Sequence, residues 1–217
     1  MFELVWPIPE DRFDEVIAHL RYNFFPDEPL NRSVGLCPSP GQPHQQLEDH
    51  AISTLADGIS VMAVNDKQEL VGVILNGVLR EGDLEEALAK LEASEDDKFK
   101  TIFEHLYKIN IDLDLFNKFQ VDSIFEARIL SVDKAYRSLG LAYKLMAKCD
   151  DVAAEKGFKV IKGDSTGLFS QKILAKLGYE TLLEVKYEEV KDENEEIIFK
   201  TPPPHTSLKI MYKMVGE

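Results

Sequence analysis

Arg137, Ser138, Gly140 and Ala142 place a basic residue and small residues where a helix is expected to begin, and that spacing suits an anion. The first turn of a helix leaves backbone N–H groups unpaired, and the helix dipole favours negative charge there. Gly140 has no side chain to keep a bulky phosphate away. Arg137 adds a fixed positive fork. The same residues also fit an ordinary solvated helix start. Two other phosphate motifs are excluded, because neither Gly-x-Gly-x-x-Gly nor Gly-x-x-x-x-Gly-Lys-Ser/Thr occurs. A second residue of interest is Glu28. Pro26 and Pro29 bias Phe25 and Glu28 toward extended geometry, so residues 24–31 are expected to be irregular, with Glu28 in a stiff, partly apolar loop.

These residues need elements to hold them. Residues 123–132 form an apolar, β-branched run with Phe125, Ala127 and Ile129 on one face, which predicts a buried strand leading into the loop. Leu139, Tyr143, Met146, Cys149 and Ala153 then recur at helical spacing, which predicts a helix with Leu139, Met146 and Cys149 in its core face. A short strand at 159–163 and a helix over 166–177, ended by Gly178, follow, with Thr166 placed to cap that helix.

Upstream, the pattern predicts a strand at 3–7, a helix from Phe13 stopped by Pro26, a polar helix over 45–56 and a hairpin of 59–65 with 70–79. Asp83 and Glu86 have capping-box spacing, and two helical stripes between 84 and 113 form an insertion that could cover a cavity or simply pack. Strands at 181–187 and 207–214 close the chain. Between them, residues 188–196 hold six acids in nine positions and read as a solvated hairpin tip. A mixed α/β fold results, with helices on both faces of the sheet.

Composition narrows the function. A length of 217 residues with 44% hydrophobic content supports one domain over 1–217 with a full core. A net charge of −14, with 39 acids against 25 bases, argues against nucleic acid as a partner. No apolar run is long enough to span a membrane and no secretion signal is evident, so a cytoplasmic protein is expected. Cys37 and Cys149 lack metal or redox spacing, and the five histidines show no ligand spacing, so no metal is expected.

The stretch from Leu130 to Ala142 resembles the acetyl-CoA-binding segment of the GNAT acetyltransferase superfamily, matching its Arg-x-x-Gly-x-Gly/Ala pattern at Arg137, Gly140 and Ala142. Phe-Phe-Pro-Asp-Glu-Pro-Leu-Asn at 24–31 resembles the corresponding segment of the insect arylalkylamine N-acetyltransferases. The resemblance implies a GNAT fold with a central mixed, mostly antiparallel twisted sheet. It implies acetyl-CoA held by Leu130, Ser131, Val132, Arg137, Ser138, Gly140, Leu141 and Ala142, and Glu28 as general base. Thr166 and Ser170 are implicated on the acid side, whereas Leu174 stands where many members carry a tyrosine acid. The implied reaction is direct acetyl transfer in a ternary complex to an amine such as dopamine, serotonin, tyramine or octopamine, by a monomer. Phe24, Phe25 and Phe116 are the expected cavity walls. Two alternatives remain: an acyltransferase for polyamines, other small amines or longer acyl donors, and a non-catalytic acyl-CoA-binding protein.

Overall fold

The computed structural model describes residues 2–216. Seven strands form one sheet: β1 (Glu3–Val5), β2 (Val61–Val64), β3 (Leu70–Arg80), β4 (Ser123–Val132), β5 (Val160–Ser165), β6 (Glu180–Lys186) and β7 (Ser207–Met214). Their order is β1-β2-β3-β4-β5-β7-β6, and every neighbouring pair is antiparallel except β4–β5. The helices are α1 (Phe13–Asn23), α2 (Pro29–Val34), α3 (Gln45–Ala56), α4 (Asp83–Leu91), α5 (Asp97–Asp112), α6 (Leu115–Phe119), α7 (Leu141–Glu155) and α8 (Leu168–Lys176).

Two apolar layers cover the sheet. On one face Leu141, Leu145, Met146 and Cys149 of α7 pack with Ile74, Phe125 and Ile161. On the other, Val16 and Leu20 of α1, Leu47 and Leu55 of α3, and Phe99 and Phe103 of α5 pack with Val73, Leu75, Ile129 and Ile210. Covering both faces explains why β2 and the middle of β3 are buried throughout rather than at alternate positions. Truncating a fully buried residue such as Leu145 to alanine should cost about 2–5 kcal/mol.

The parallel pair is the feature that makes a site. β4 and β5 are paired only at Phe125–Ile161, Glu126–Lys162 and Ala127–Gly163. Beyond those residues both strands continue without pairing each other, so the sheet splays open in its middle. On its other edge β4 pairs with β3 in a register that skips Arg128, since Leu75 faces Ile129 and Asn76 faces Ala127. This bulge sends the Arg128 guanidinium across Gly77 of β3, where a Cβ would overlap it.

Several local expectations change. Residues 24–31 are not wholly irregular: Glu28 is the N-cap of α2, and Pro29 occupies the first helical position, where its missing N–H costs nothing. Asp83 is not a cap but the first residue of α4, behind Gly82, and its carboxylate accepts from the Arg80 N–H at 2.9 Å. Thr166 does not cap α8, whose N-cap is Gly167. Leu139 lies outside α7 and is 59% exposed, because left-handed backbone at Ser138 and Gly140 delays the helix to Leu141.

Candidate active site

A groove of about 720 Å³ opens at the splay, lined by β4 beyond Ala127, the loop into α7, the start of α7, and α8. Leu130, Ser131, Val132, Arg137, Ser138, Gly140, Leu141 and Ala142, all expected at the acyl-donor site, line it together. No side chain caps the α7 N-terminus. A Cβ at Gly140 would meet nothing within 4 Å, so the approach to these N–H groups is open; φ is +77° there, and any side chain would strain the backbone as well. These residues fit the pyrophosphate of acetyl-CoA: free N–H donors, a helix dipole and an open approach.

Arg137 is engaged differently from a free phosphate fork. Its Nη2 donates to Asp27 Oδ2 at 2.9 Å and to the Asn23 carbonyl at 3.0 Å, while Nε donates to the Val132 carbonyl at 3.1 Å. Arg137 therefore ties the loop before Glu28 to the end of β4. Ser131 points away from the donor helix: its hydroxyl lies 3.0 Å from His19 Nε2.

Glu28 is held by its own helix. Its Oε2 accepts from the Asn31 N–H at 2.6 Å, and the Asn31 side chain donates back to the Phe25 carbonyl at 3.1 Å. The other oxygen, Oε1, is buried without a hydrogen-bond partner. Burial pushes this carboxyl above the usual glutamate range, against the pull of the Asn31 N–H and the neighbouring Thr166 hydroxyl.

Glu28 also lines a second cavity of about 270 Å³ on the opposite side of the sheet opening, walled by Phe24, Phe25, Leu30, Leu47, Ile102, Phe103 and Tyr107 among others. The groove and the cavity share Phe24, Glu28, Ala127, Arg128, Asp164 and Thr166 in their walls. The helical insertion is cavity lining, since α4 supplies Leu84 and Ala87 and α5 supplies the residues from Ile102 to Asn110. Phe116 is not part of it and packs instead with Leu79 and Ile124.

The sequence reading missed a buried charged cluster in the wall of this cavity, where Glu126, Arg128 and Asp164 line it and Lys162 lies behind them. Lys162 Nζ is 2.5 Å from Glu126 Oε1 and 3.0 Å from Asp164 Oδ1; Arg128 Nε donates to Glu126 Oε2 at 2.7 Å. Asn110 Nδ2 donates to Asp164 Oδ2 at 2.7 Å. Burial alone would raise the Glu126 carboxyl, but Lys162 and Arg128 together hold it well below its usual range. For Asp164 burial wins, helped by the Glu126 charge, and the carboxyl is raised. The signal lay in the sequence: Glu126 and Arg128 in β4, then Lys162 and Asp164 in β5, are charged at alternate positions of strands that hold no other charge.

Ser170 lines the groove, but its hydroxyl donates to the Gly167 carbonyl at 2.9 Å. Thr166 sits where groove and cavity meet, and its carbonyl accepts from the Tyr187 hydroxyl at 2.6 Å. Leu174 is buried in the groove wall and offers no proton. Cys149 is fully buried and its thiol pKa is raised by burial; it donates to Asn76 Oδ1 at 3.5 Å, which leaves it no route to a thioester.

A splayed parallel pair inside a mostly antiparallel sheet, with a helix N-terminus facing the opening, is the GNAT acyltransferase fold, as solved structures confirm. Arylalkylamine N-acetyltransferase 2 from Aedes aegypti is 46% identical, with 99% of each chain covered and a TM-score of 0.95. A mosquito arylalkylamine N-acetyltransferase like 5b is 24% identical over 99% of this chain and 100% of that one, at a TM-score of 0.88. A Drosophila melanogaster polyamine N-acetyltransferase that forms N-acetylagmatine is 19% identical over 99% and 100%, at 0.86, and shares the fold. No protein-family model matches the chain. At the first of these identities and coverages, the chain belongs to the arylalkylamine N-acetyltransferase family, and it is an acyltransferase enzyme.

Proposed function

We propose that residues 1–217 act as one domain that transfers the acetyl group of acetyl-CoA to the primary amine of an arylalkylamine, by direct attack in a ternary complex with Glu28 as general base. The observation that carries this reading is the buried, unpartnered Oε1 of Glu28 at the wall shared by an anion-ready groove and an apolar cavity. The groove takes the acyl donor and the cavity takes the amine, so donor and acceptor meet beside Glu28.

The chemistry demands a base at that point. An alkylamine with a pKa near that of lysine, about 10.4, is almost wholly ammonium at neutral pH and has no lone pair for attack. A carboxyl raised by burial is a better base than an ordinary glutamate, and one or two waters can carry the proton to it. The freed amine attacks the thioester carbonyl, the C–S bond breaks, and the departing thiolate takes up a proton. With a thiol pKa of about 8.5 it leaves readily, which lowers the demand on Thr166 or Ser170 as acid. Backbone N–H groups on the unpaired edge of β4, around Val132, are the donors for the carbonyl oxygen as it gains charge. Burial of Cys149 supports direct transfer over an acetyl-cysteine route.

Two unbridged cysteines, Cys37 and Cys149, fit a cytoplasmic site of action. Among the described residues no helix is long and apolar enough to cross a membrane. Turnover of acetyl-CoA with dopamine, serotonin, tyramine, octopamine, agmatine and spermidine tests the reading. Preference for the aryl amines supports it. Preference for agmatine or spermidine reassigns the acceptor, and acetyl-CoA binding without any turnover reassigns the protein as a binder.

A further inference from the structure

Two buried acceptors without a partner share one cavity. Glu28 Oε1 and Asn110 Oδ1 belong to residues that line the 270 Å³ cavity, whereas Asp164 Oδ1 in the same wall is met by Lys162 Nζ at 3.0 Å. Buried polar groups are nearly always satisfied, so such a pair points to a ligand that satisfies them. Both atoms are acceptors. The ligand must therefore bring hydrogen-bond donors to two places in the cavity.

The orientation of Asn110 is forced. It is 3% exposed, and its Nδ2 donates both to the Leu106 carbonyl at 2.9 Å and to Asp164 Oδ2 at 2.7 Å. A backbone carbonyl can only accept, so the amide cannot be flipped and Oδ1 is the atom left over. The two places are separated along β5. Asp164 lies in β5 and Thr166 one residue past its end, so two residues of chain, roughly 6–7 Å at most, separate them, and Thr166 is the neighbour of Glu28. A two-carbon arm and a six-membered ring bridge such a gap.

Charge decides which donor belongs beside Asn110. A second ammonium would need a free carboxylate, but Glu126 already faces Lys162 at 2.5 Å and Arg128 at 2.7 Å, and Asp164 faces Lys162 at 3.0 Å. A neutral donor fits there and a second cation does not.

We propose that Asn110, oriented by Asp164, forms a subsite whose free Oδ1 recognises a hydroxyl group on the aryl ring of the amine substrate. The proposal rests on the arylalkylamine reading above and deepens it. A site with buried acceptors discriminates against the analogue that lacks the donor, because those acceptors then stay unpaired.

The experiment measures kcat/KM for phenylethylamine, tyramine and 1,5-diaminopentane with the wild type, Asn110→Leu and Asp164→Asn, each checked for a cooperative melt. The wild type is expected to prefer tyramine over phenylethylamine by about 10-fold or more, and Asn110→Leu to bring that ratio close to one. If Asn110→Leu does not fold, a fall of the ratio in Asp164→Asn serves the same purpose. Equal wild-type rates on tyramine and phenylethylamine, or a ratio that survives in the folded variants, overturn the subsite and leave the acetyltransferase reading intact. Preference for the diamine overturns it in favour of a second cation. No turnover of any of the three amines overturns the parent reading and the subsite with it.

Discussion

The groove and the cavity meet at Glu28 but are built on opposite plans. The groove takes its donors from one continuous stretch of chain, the end of β4, the loop and the first turn of α7, and most of what it offers an anion is backbone. The cavity draws side chains from α2, α3, α4, α5, β4 and β5, and its polarity comes from charges packed against one another. The difference teaches where substitutions bite. A backbone site tolerates loss of any one side chain; a buried charge cluster does not, since each member compensates another.

The sharpest way to break this contrast is Lys162→Met. Removing the cation leaves Glu126 and Asp164 buried without it, and loss of one partner of a buried pair costs about 3–5 kcal/mol. Chemical denaturation should show that loss at neutral pH, and the deficit should shrink in acid as those carboxyls take up protons. An unchanged midpoint would mean that the cluster contributes nothing to stability.

Glu28→Gln comes next, with the fold kept and turnover at neutral pH reduced by roughly 10²-fold or more. Because burial raises the Glu28 carboxyl, the wild-type rate should fall on the acidic side at a pH above that of an ordinary glutamate. The variant should lose that limb and recover relative to wild type as pH rises and free amine accumulates. Identical pH–rate profiles for the two forms would remove Glu28 from the mechanism.

His19 tests the layer behind the groove. Burial lowers its pKa from 6.5 to about 4, so the folded protein prefers the neutral ring. Its contribution to stability is complete above pH 6.5 and is lost as pH falls toward 4. Melting temperature should decline across that window, and His19→Gln, which cannot titrate, should flatten the decline.

Smaller effects belong to the groove. Arg137→Ala should weaken acetyl-CoA binding by about 10-fold or less by calorimetry, since its guanidinium is spent on Asp27 and two carbonyls and the helix N–H groups remain. Ser170→Ala should change kcat by no more than about threefold, because its hydroxyl satisfies the Gly167 carbonyl. A much larger loss there, restricted to acetyl-CoA and absent with a more acidic leaving thiol, would make Ser170 the acid after all.

What the sequence determined by itself is what local chemistry determines. The spacing of Arg137, Gly140 and Ala142 announces an anion-ready helix start because the donors are neighbours along the chain, and the apolar periods of α3, α7 and the strands follow from burial of one face or both. Pro29 likewise biases Glu28 toward the extended backbone it adopts; that Pro29 then opens α2 with Glu28 as its cap depends on where the following turn packs. The cavity was decided by tertiary structure alone. Glu126 meets Lys162, and Asn110 meets Asp164, across 36 and 54 residues of sequence. No local pattern specifies such pairs, because a charge can be buried only where another element brings its counter-charge, and that is settled when β4, β5 and α5 come together around the open centre of the sheet.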